Sequence, residues 1–266
     1  MIEIENLTKN FNGQPALDSV NFKVEAGERV AILGPSGAGK TTLFRIVNLA
    51  LAASKGQFRF RGQETTDLSK TELKLMRQRI GTIYQQHNLV SRLKVVHNVL
   101  AGRLAQWSLA KGLLSLLWPQ EVELARQALE KVGIADKLFC RADELSSGEQ
   151  QRVAIARVLV QGPDLILADE PVSSLDPSRA HGILRLLIEI SRGSGKTLIT
   201  SLHSVPLALE YFPRIVGIKQ GRILFDRSTS QLERDDLATL YELETSPCLS
   251  SQNESPKKID ACRPSF

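Results

Sequence analysis

Cysteine is scarce in this chain, with three in 266 residues, at Cys140, Cys248 and Cys262. The count is odd, and no two of them are spaced as C-x-x-C. The sequence therefore offers no disulfide framework and no paired-cysteine zinc motif. We expect the protein to work in a reducing, intracellular compartment, where thiols stay free.

Long apolar runs and blocks of basic residues are missing as well. No stretch of about 18 uninterrupted apolar residues occurs, so we predict that the chain does not cross a bilayer by itself. The first residues, M-I-E-I-E, alternate apolar and acidic side chains and lack the basic start of a secretory signal. No long lysine and arginine block marks a nucleic-acid tail, and no nucleic-acid partner is expected.

The bulk composition is that of a globular protein. Hydrophobic residues make up 42% and charged residues 24% of the chain, whose length allows one large domain or two modest ones. The net charge of +5 is compatible with nucleic acid, an anionic membrane surface or a nucleotide, and it does not choose among them.

Residues 34–41 read G-P-S-G-A-G-K-T, two glycines separated by four residues and followed by lysine and a hydroxyl. A run that resembles a buried strand, Arg29–Leu33, precedes this segment, and a helical pattern follows it. A glycine loop between a strand and a helix lets backbone N–H groups converge on phosphate oxygens. Lys40 would reach the β- and γ-phosphates, and the Thr41 hydroxyl would bind Mg²⁺. The predicted nucleotide-binding residues here are Gly34, Pro35, Ser36, Gly37, Ala38, Gly39, Lys40, Thr41 and Thr42.

A second candidate site is the run L-I-L-A-D-E at residues 165–170. Four apolar residues predict a buried strand, whose end would present both carboxylates where α/β folds bind ligands. Asp169 would hold Mg²⁺ through water, and Glu170 would polarise the water that attacks the γ-phosphate. The structural alternative is a strand that merely ends in surface acids.

The segment L-S-S-G-E-Q-Q-R at residues 145–152 precedes a helical pattern. Ser146 and Glu149 have the spacing of a capping box, which is a purely structural explanation. The functional alternative is an anion site at the helix N-terminus, with Ser146 and Gly148 facing a phosphate.

This last segment resembles the L-S-G-G-Q signature of ATP-binding cassette (ABC) proteins, with Ser147 and Glu149 as departures. The resemblance covers roughly residues 1 to 230 and implies further roles. Phe11 is similar to the aromatic residue that stacks on adenine, and Gln85 to the glutamine that senses Mg²⁺ and faces the membrane partner. Ser174-Leu175-Asp176 matches the loop that crosses the dimer interface, and His203 the histidine that contacts the γ-phosphate. The resemblance thus implies Glu170, His203 and Gln85 as catalytic residues, and Thr41, Gln85 and Asp169 around the metal.

The alternation of strands and helices predicts an α/β fold with a mainly parallel sheet. The resemblance implies a P-loop NTPase that also has an N-terminal antiparallel β element and an inserted helical subdomain. We expect one domain over residues 1–243, with a catalytic core at about 1–87 and 164–243 and a helical subdomain at about 88–163. Residues 244–266 lack periodicity and are predicted to form a flexible tail.

The resemblance also implies ATP and Mg²⁺ as ligands and a second copy of the chain as partner, since one cassette carries each motif only once. It implies membrane permease subunits, an indirect link to a solute-binding protein and a peripheral location on the cytoplasmic face of the bacterial inner membrane. Several segments, among them 85–93 and 142–145, resemble the ATP-binding subunit of phosphonate importers, which predicts uptake of phosphonate or a related phosphorus oxyanion. Import of another solute such as an amino acid, a non-transport ABC ATPase and a P-loop kinase remain as alternatives.

The stretch from Leu104 to Gln120 is unusually apolar and contains both tryptophans of the chain. Two explanations are open for it. The stretch binds the membrane subunit or enters the membrane interface, or it packs within the helical subdomain.

Overall fold

The computed structural model describes residues 1–241, so the predicted tail at 244–266, with Cys248 and Cys262, lies outside the described residues. Ten strands and nine α-helices occupy the described part of the chain. The strands are β1 (Ile2–Phe11), β2 (Gln14–Val24), β3 (Arg29–Leu33), β4 (Lys55–Phe60), β5 (Gln63–Glu64), β6 (Ile80–Ile83), β7 (Leu165–Asp169), β8 (Thr197–Leu202), β9 (Arg214–Lys219) and β10 (Arg222–Ser228). The helices are α1 (Lys40–Val47), α2 (Lys70–Gln78), α3 (Val95–Leu100), α4 (Leu109–Leu117), α5 (Val122–Lys131), α6 (Ser147–Gln161), α7 (Pro177–Gly193), α8 (Val205–Tyr211) and α9 (Arg234–Tyr241).

The strands form two sheets. An antiparallel sheet has the order β2-β1-β4-β5, and a second sheet has the order β10-β9-β3-β8-β7-β6. In the second sheet the strands from β9 to β6 run parallel, and only β10 is antiparallel to its neighbour. This arrangement confirms the predicted α/β fold with a mainly parallel sheet and an N-terminal antiparallel element.

The central strands are buried on both faces, which explains their continuous apolar runs. In β3, Ala31 and Leu33 pack into one hydrophobic cluster, and Val30 and Ile32 into another on the opposite face. This division follows from the alternation of side chains along a strand. The parallel sheet therefore separates two hydrophobic cores.

Four helices, α3 to α6, follow one another between β6 and β7, and α3, α5 and α6 share the hydrophobic cluster that covers one face of the sheet. Their position agrees with a helical insertion, although the domain boundaries given above stay a prediction. Among residues 1–241, no helix combines the length and the apolarity that crossing a bilayer requires.

A tight turn at Asn12 and Gly13 joins β1 to β2. Both turn residues have positive φ, of 49° and 82°, which an Asn-Gly pair tolerates and which suits a two-residue hairpin. The helix that follows the glycine loop ends at Val47, and Leu49 beyond it has a φ of 62°.

Candidate active site at the carboxyl edge of the parallel sheet

Pairing within the parallel sheet aligns the ends of four strands. Leu33 lies opposite Leu202, Asp169 opposite Ser201, and Ile83 opposite Ala168. The residues that follow β3, β8, β7 and β6 therefore share one edge of the sheet. These residues are the glycine loop, His203, Glu170 and Gln85. Open α/β sheets bind ligands at this edge.

The two glycines that define the loop pattern cannot be replaced without moving backbone. A Cβ on Gly34 would lie 2.2 Å from the Ile218 carbonyl oxygen. Gly39 has a φ of 104°, and a Cβ on it would lie 2.6 Å from the Ala16 carbonyl oxygen. The loop thus needs glycine for a close backbone approach at its first position and for a left-handed conformation at its last.

Lys40 is held almost entirely inside this loop, with 4% of its surface exposed. Its Nζ donates hydrogen bonds to the carbonyl oxygens of Gly34 at 2.7 Å and Pro35 at 3.1 Å. Burial lowers the pKa of Lys40, and the nearby carboxylates of Glu170 and Asp169 act in the opposite direction. A buried ammonium that lacks a close anionic partner favours binding of an anion beside it.

Asp169 is also buried, with 9% of its surface exposed. Burial raises the pKa of its carboxyl, and hydrogen bonds from the hydroxyls of Ser201 and Thr41 lower it. The Ser201 Oγ donates to Asp169 Oδ1 at 2.7 Å. The Asp169 carboxylate and the Thr41 hydroxyl are thus a pair of hard oxygen ligands of the kind that Mg²⁺ prefers.

Glu170 follows in a left-handed conformation, with a φ of 49°. Its backbone N–H donates to the Ser201 Oγ at 2.9 Å, and its side-chain Oε1 lies 2.5 Å from the His203 Nε2. The carboxylate and the imidazole also line a cavity of about 440 Å³. The structure therefore brings together the glycine loop, Asp169, Glu170 and His203 at one edge of the sheet.

Ser201 was missed by the sequence analysis. It is fully buried and joins the Asp169 carboxylate to the Glu170 amide. The only signal in the sequence is a serine two residues before His203, and serines are common at strand ends. Its role follows from the pairing of β7 with β8, which places it opposite Asp169.

The segment that begins α6 forms the predicted capping box. The Ser146 Oγ accepts from the Glu149 N–H at 3.4 Å, and Glu149 Oε2 accepts from the Ser146 N–H at 2.9 Å and from its hydroxyl at 2.8 Å. These hydrogen bonds, first from the backbone and then from the side chain of Ser146, lower the pKa of Glu149. Ser147 is the first residue of the helix and needs no special backbone conformation, so serine is acceptable where the family pattern has glycine.

The remaining predicted residues are Ser146, Gly148, Phe11 and Gln85. Within residues 1–241, no hydrogen bond or ion pair joins Ser146 or Gly148 to the glycine loop. Phe11 ends β1 with 45% of its surface exposed, and its ring lies 5.3 Å from the Lys9 Nζ. Gln85 is exposed in the turn after β6. Within one copy of the chain, the described contacts thus do not join Ser146 and Gly148 to the glycine loop.

A family model described as ABC transporter matches residues 17–173. The chain belongs to the ABC transporter family. The match spans the glycine loop, the capping-box segment and the two acids at the end of β7. The chain is 50% identical over 230 residues to the phosphonates import ATP-binding protein PhnC of Pseudomonas fluorescens (strain Pf0-1), covering 86% of this chain and 87% of that protein. It is 42% identical over 242 residues to phosphonates import ATP-binding protein PhnC 2 of Oceanobacillus iheyensis, covering 91% of this chain and 95% of that protein.

Solved structures of the family resemble this fold. A dimeric structure of a bacterial ABC transporter cassette superposes with a TM-score of 0.75 at 30% identity, covering 86% of this chain and 99% of that one. A dimeric post-hydrolysis state of an ATP-binding cassette bound to ADP and Pi gives a TM-score of 0.72 at 30% identity, with the same coverage. Both extend the family assignment to the three-dimensional fold.

Proposed function

We propose that this chain is the ATP-hydrolysing subunit of an import complex that energises the uptake of phosphonate or a related phosphorus oxyanion across the bacterial inner membrane. The observation that carries the proposal is the 50% identity to a phosphonates import ATP-binding protein over 86% of this chain. The convergence of a glycine loop, two carboxylates and a histidine at one sheet edge supports the hydrolytic part.

The nucleotide phosphates bind in the glycine loop. The buried Lys40, whose Nζ contacts the carbonyl oxygens of Gly34 and Pro35, meets the β- and γ-phosphates. Backbone N–H groups from Ser36 to Thr42, at the positive end of α1, complete the anion site. The adenine stacks on the exposed ring of Phe11.

The oxygen ligands at this site fit Mg²⁺. Thr41, Asp169 through water, and Gln85 would hold the ion, and phosphate oxygens would complete its shell, because Mg²⁺ in proteins is commonly bound by few side chains together with substrate phosphates. When bound, Mg²⁺ neutralises the charge that develops on the phosphates. The raised pKa of Asp169 means that its proton is lost at a higher pH than usual, so protons compete with the ion in acid.

Glu170 is the general base. Its carboxylate takes a proton from water as the water oxygen bonds to the γ-phosphorus and the bond to the bridging oxygen of ADP breaks. His203 holds the Glu170 carboxylate through its Nε2 and also contacts the γ-phosphate. The bond between Ser201 and the Glu170 amide fixes the left-handed backbone that aims this carboxylate.

A second copy of the chain completes each site. Because no described contact joins Ser146 or Gly148 to the glycine loop of their own copy, a head-to-tail dimer places them on the γ-phosphate bound by the partner. Such an arrangement makes two composite sites, with the segment 174–176 at the dimer interface. ATP joins the two copies, and its hydrolysis releases them.

Membrane permease subunits provide the path for the solute, and the chain lies peripherally on the cytoplasmic face of the inner membrane. Gln85 couples the nucleotide site to these subunits, and a solute-binding protein delivers the cargo. The chain acts as one ATPase domain over residues 1–243, with a core at about 1–87 and 164–243 and a helical subdomain at about 88–163.

Reconstitution tests the proposed cargo. The chain is purified with its proposed permease subunit and placed in liposomes, and its ATPase rate is measured with binding proteins loaded with phosphonate, phosphite, phosphate or amino acids. We expect stimulation by phosphonate or phosphite. Stimulation only by a binding protein loaded with amino acids would show that the chain serves an amino-acid importer. Transfer of phosphate to an acceptor instead of water would show that the chain is a kinase.

Replacing Ser201 with alanine is expected to weaken Mg²⁺-dependent hydrolysis about tenfold or more, because a hydrogen bond to a charged group contributes roughly 1.5–3 kcal/mol. The Asp169 carboxylate would lose a donor and its pKa would rise further. The measurement is the Mg²⁺ concentration that gives half-maximal ATPase activity. Thr200→Val is the matched control, because the Thr200 hydroxyl is buried in the same strand without a partner. If Ser201→Ala needed the same Mg²⁺ concentration as the native chain for half-maximal activity, Ser201 would have no role in supporting the Asp169 carboxylate.

Restoring the family pattern with Ser147→Gly and Glu149→Gln is expected to leave ATP hydrolysis intact and to raise its rate a few-fold. The native chain remains active because serine fits the first helical position, whereas the Glu149 carboxylate repels a nearby phosphate by about 1 kcal/mol in water. The ATPase rates of both proteins are compared at low and high salt. Salt screens the repulsion between the Glu149 carboxylate and the phosphate, so the difference between the two rates should be smaller at high salt. A native chain with no activity beside an active variant contradicts this expectation.

A further inference from the structure

Helix α4 presents an apolar face to the outside of the molecule. Leu109, Leu113, Leu116 and Leu117 are exposed by 81%, 58%, 54% and 86% of their surfaces. With 100° between successive residues, these four side chains and the exposed Ala110 lie within an arc of about 120°. No residue within this arc carries a charge or a side-chain hydrogen-bonding group.

The polar side of the same helix faces inward. Ser115 is 4% exposed and accepts a hydrogen bond from the Gln120 N–H, and the Lys111 Nζ lies 2.5 Å from Glu121 Oε1 and over the Trp107 ring. The Ser108 hydroxyl caps the helix by accepting from the Lys111 N–H. These contacts fix the rotation of α4, so the outward leucines are a built feature of the fold. The usual amphipathic arrangement of a surface helix is inverted here.

The apolar surface continues beyond the arc. Leu114 and Trp118 are exposed by 53% and 75%, and Leu104 packs so close to α4 that a Cβ on Gly112 would lie 3.6 Å from its Cδ2. Lys111 is the only charged residue between Leu104 and Gln120. Exposed apolar surfaces of this kind mark contacts with proteins or membranes.

Cations lie beside this surface. Lys70, Lys74 and Arg77 of α2 line a groove together with Ala101 and Ala105, and Ala105 directly follows Leu104 in the chain. Lys70 and Lys74 are exposed, and in the described part of the chain neither forms an ion pair. The surface thus combines an apolar face with a basic edge, which is complementary to a bilayer with anionic headgroups.

We propose that the face formed by Leu104, Leu109, Leu113, Leu114, Leu116, Leu117 and Trp118 inserts into the headgroup region of an anionic lipid bilayer. A protein interface carries about one hydrogen bond per 100–200 Å², and the leucine arc offers none, whereas acyl chains require none. The helix, about 13 Å long, lies flat at the interface. Trp118 reaches headgroup level, where tryptophan is enriched.

Binding to vesicles tests this proposal on the purified full chain without nucleotide. Vesicles of phosphatidylcholine, alone or mixed with phosphatidylglycerol, are sedimented with the protein. We expect binding that is stronger to the mixed vesicles and a blue shift of tryptophan emission. Because Trp107 is buried and Trp118 is exposed, brominated lipids should quench mainly Trp118, which tests the native chain without any substitution.

Substitutions then locate the surface. Leu113→Gln with Leu117→Gln is expected to weaken binding about tenfold or more, since each inserted leucine contributes appreciably to partitioning. The matched control, Leu209→Gln with Leu224→Gln, changes two exposed leucines elsewhere and should bind like the native chain. Lys70→Gln with Lys74→Gln should remove only the preference for phosphatidylglycerol. ATPase activity without vesicles should be the same in all variants, so a lipid result stands apart from the proposed cargo and hydrolysis.

Four outcomes would overturn the proposal. The first is that the native chain binds neither kind of vesicle, and the second is that the leucine variant binds as well as the control. Sedimentation velocity finds a nucleotide-independent dimer that the leucine variant abolishes, which would assign the face to a second copy. Finally, binding requires membranes that contain the permease, which would assign the face to that protein.

Discussion

Glu170→Gln is expected to bind ATP normally and to hydrolyse it about 10²–10⁴-fold more slowly, the usual contribution of a general base. Glutamine keeps the size of the side chain and a hydrogen-bonding oxygen for His203, but it cannot accept the proton of the attacking water. Since Lys40 and the glycine loop are unchanged, the γ-phosphate still binds. The variant should therefore accumulate as an ATP-bound dimer.

Phosphate release and light scattering during size-exclusion chromatography measure the two effects separately. Glu189→Gln, on the exposed side of α7, is the matched control and should retain the native rate and the native oligomeric state. An unaltered rate in Glu170→Gln would remove Glu170 from its role. A slow variant that stays monomeric with ATP would instead contradict the proposed dimer.

Lys40→Met is expected to weaken ATP binding by about two orders of magnitude or more, because the loop would lose the cation that meets the β- and γ-phosphates. Burial lowers the pKa of Lys40, and a lowered pKa in the folded state gives stability only above the unfolded pKa, near 10.5. At neutral pH the charged Lys40 therefore costs stability in the absence of nucleotide. Methionine removes this cost, together with the bonds to Gly34 and Pro35.

Thermal unfolding separates these contributions. Without nucleotide, the Tm of Lys40→Met should lie below that of the native chain by no more than the loss of the two hydrogen bonds to Gly34 and Pro35 explains. With ATP, only the native chain should gain a higher Tm, because a ligand stabilises the state that binds it. Lys131→Met, at the exposed end of α5, should behave as the native chain does. A full ATP-induced rise in Tm for Lys40→Met would show that the phosphates bind elsewhere.

The glycine loop and the strand that ends in Asp169 and Glu170 were predictable because their chemistry is local. A strand, a loop and a helix that are contiguous in sequence need no distant partner to place Lys40 and Thr41 side by side. The capping box of Ser146 and Glu149 is local in the same way, and so was confirmed. The parallel sheet followed from continuous apolar runs such as residues 165–168, since buried strands leave little room for polar residues.

The sequence alone thus determined the family, the fold and the motif residues, because each is encoded over short distances along the chain. The tertiary structure decided which side chains lie opposite each other on paired strands and which side of a helix faces the solvent. Ser201 lies opposite Asp169 only because β7 pairs with β8 in one register. The sequence of α4 is compatible with leucines that are buried or exposed. The contacts of Lys111 and Ser115 on the other side of the helix leave the leucines exposed. Such choices depend on contacts between distant residues, which no local pattern records.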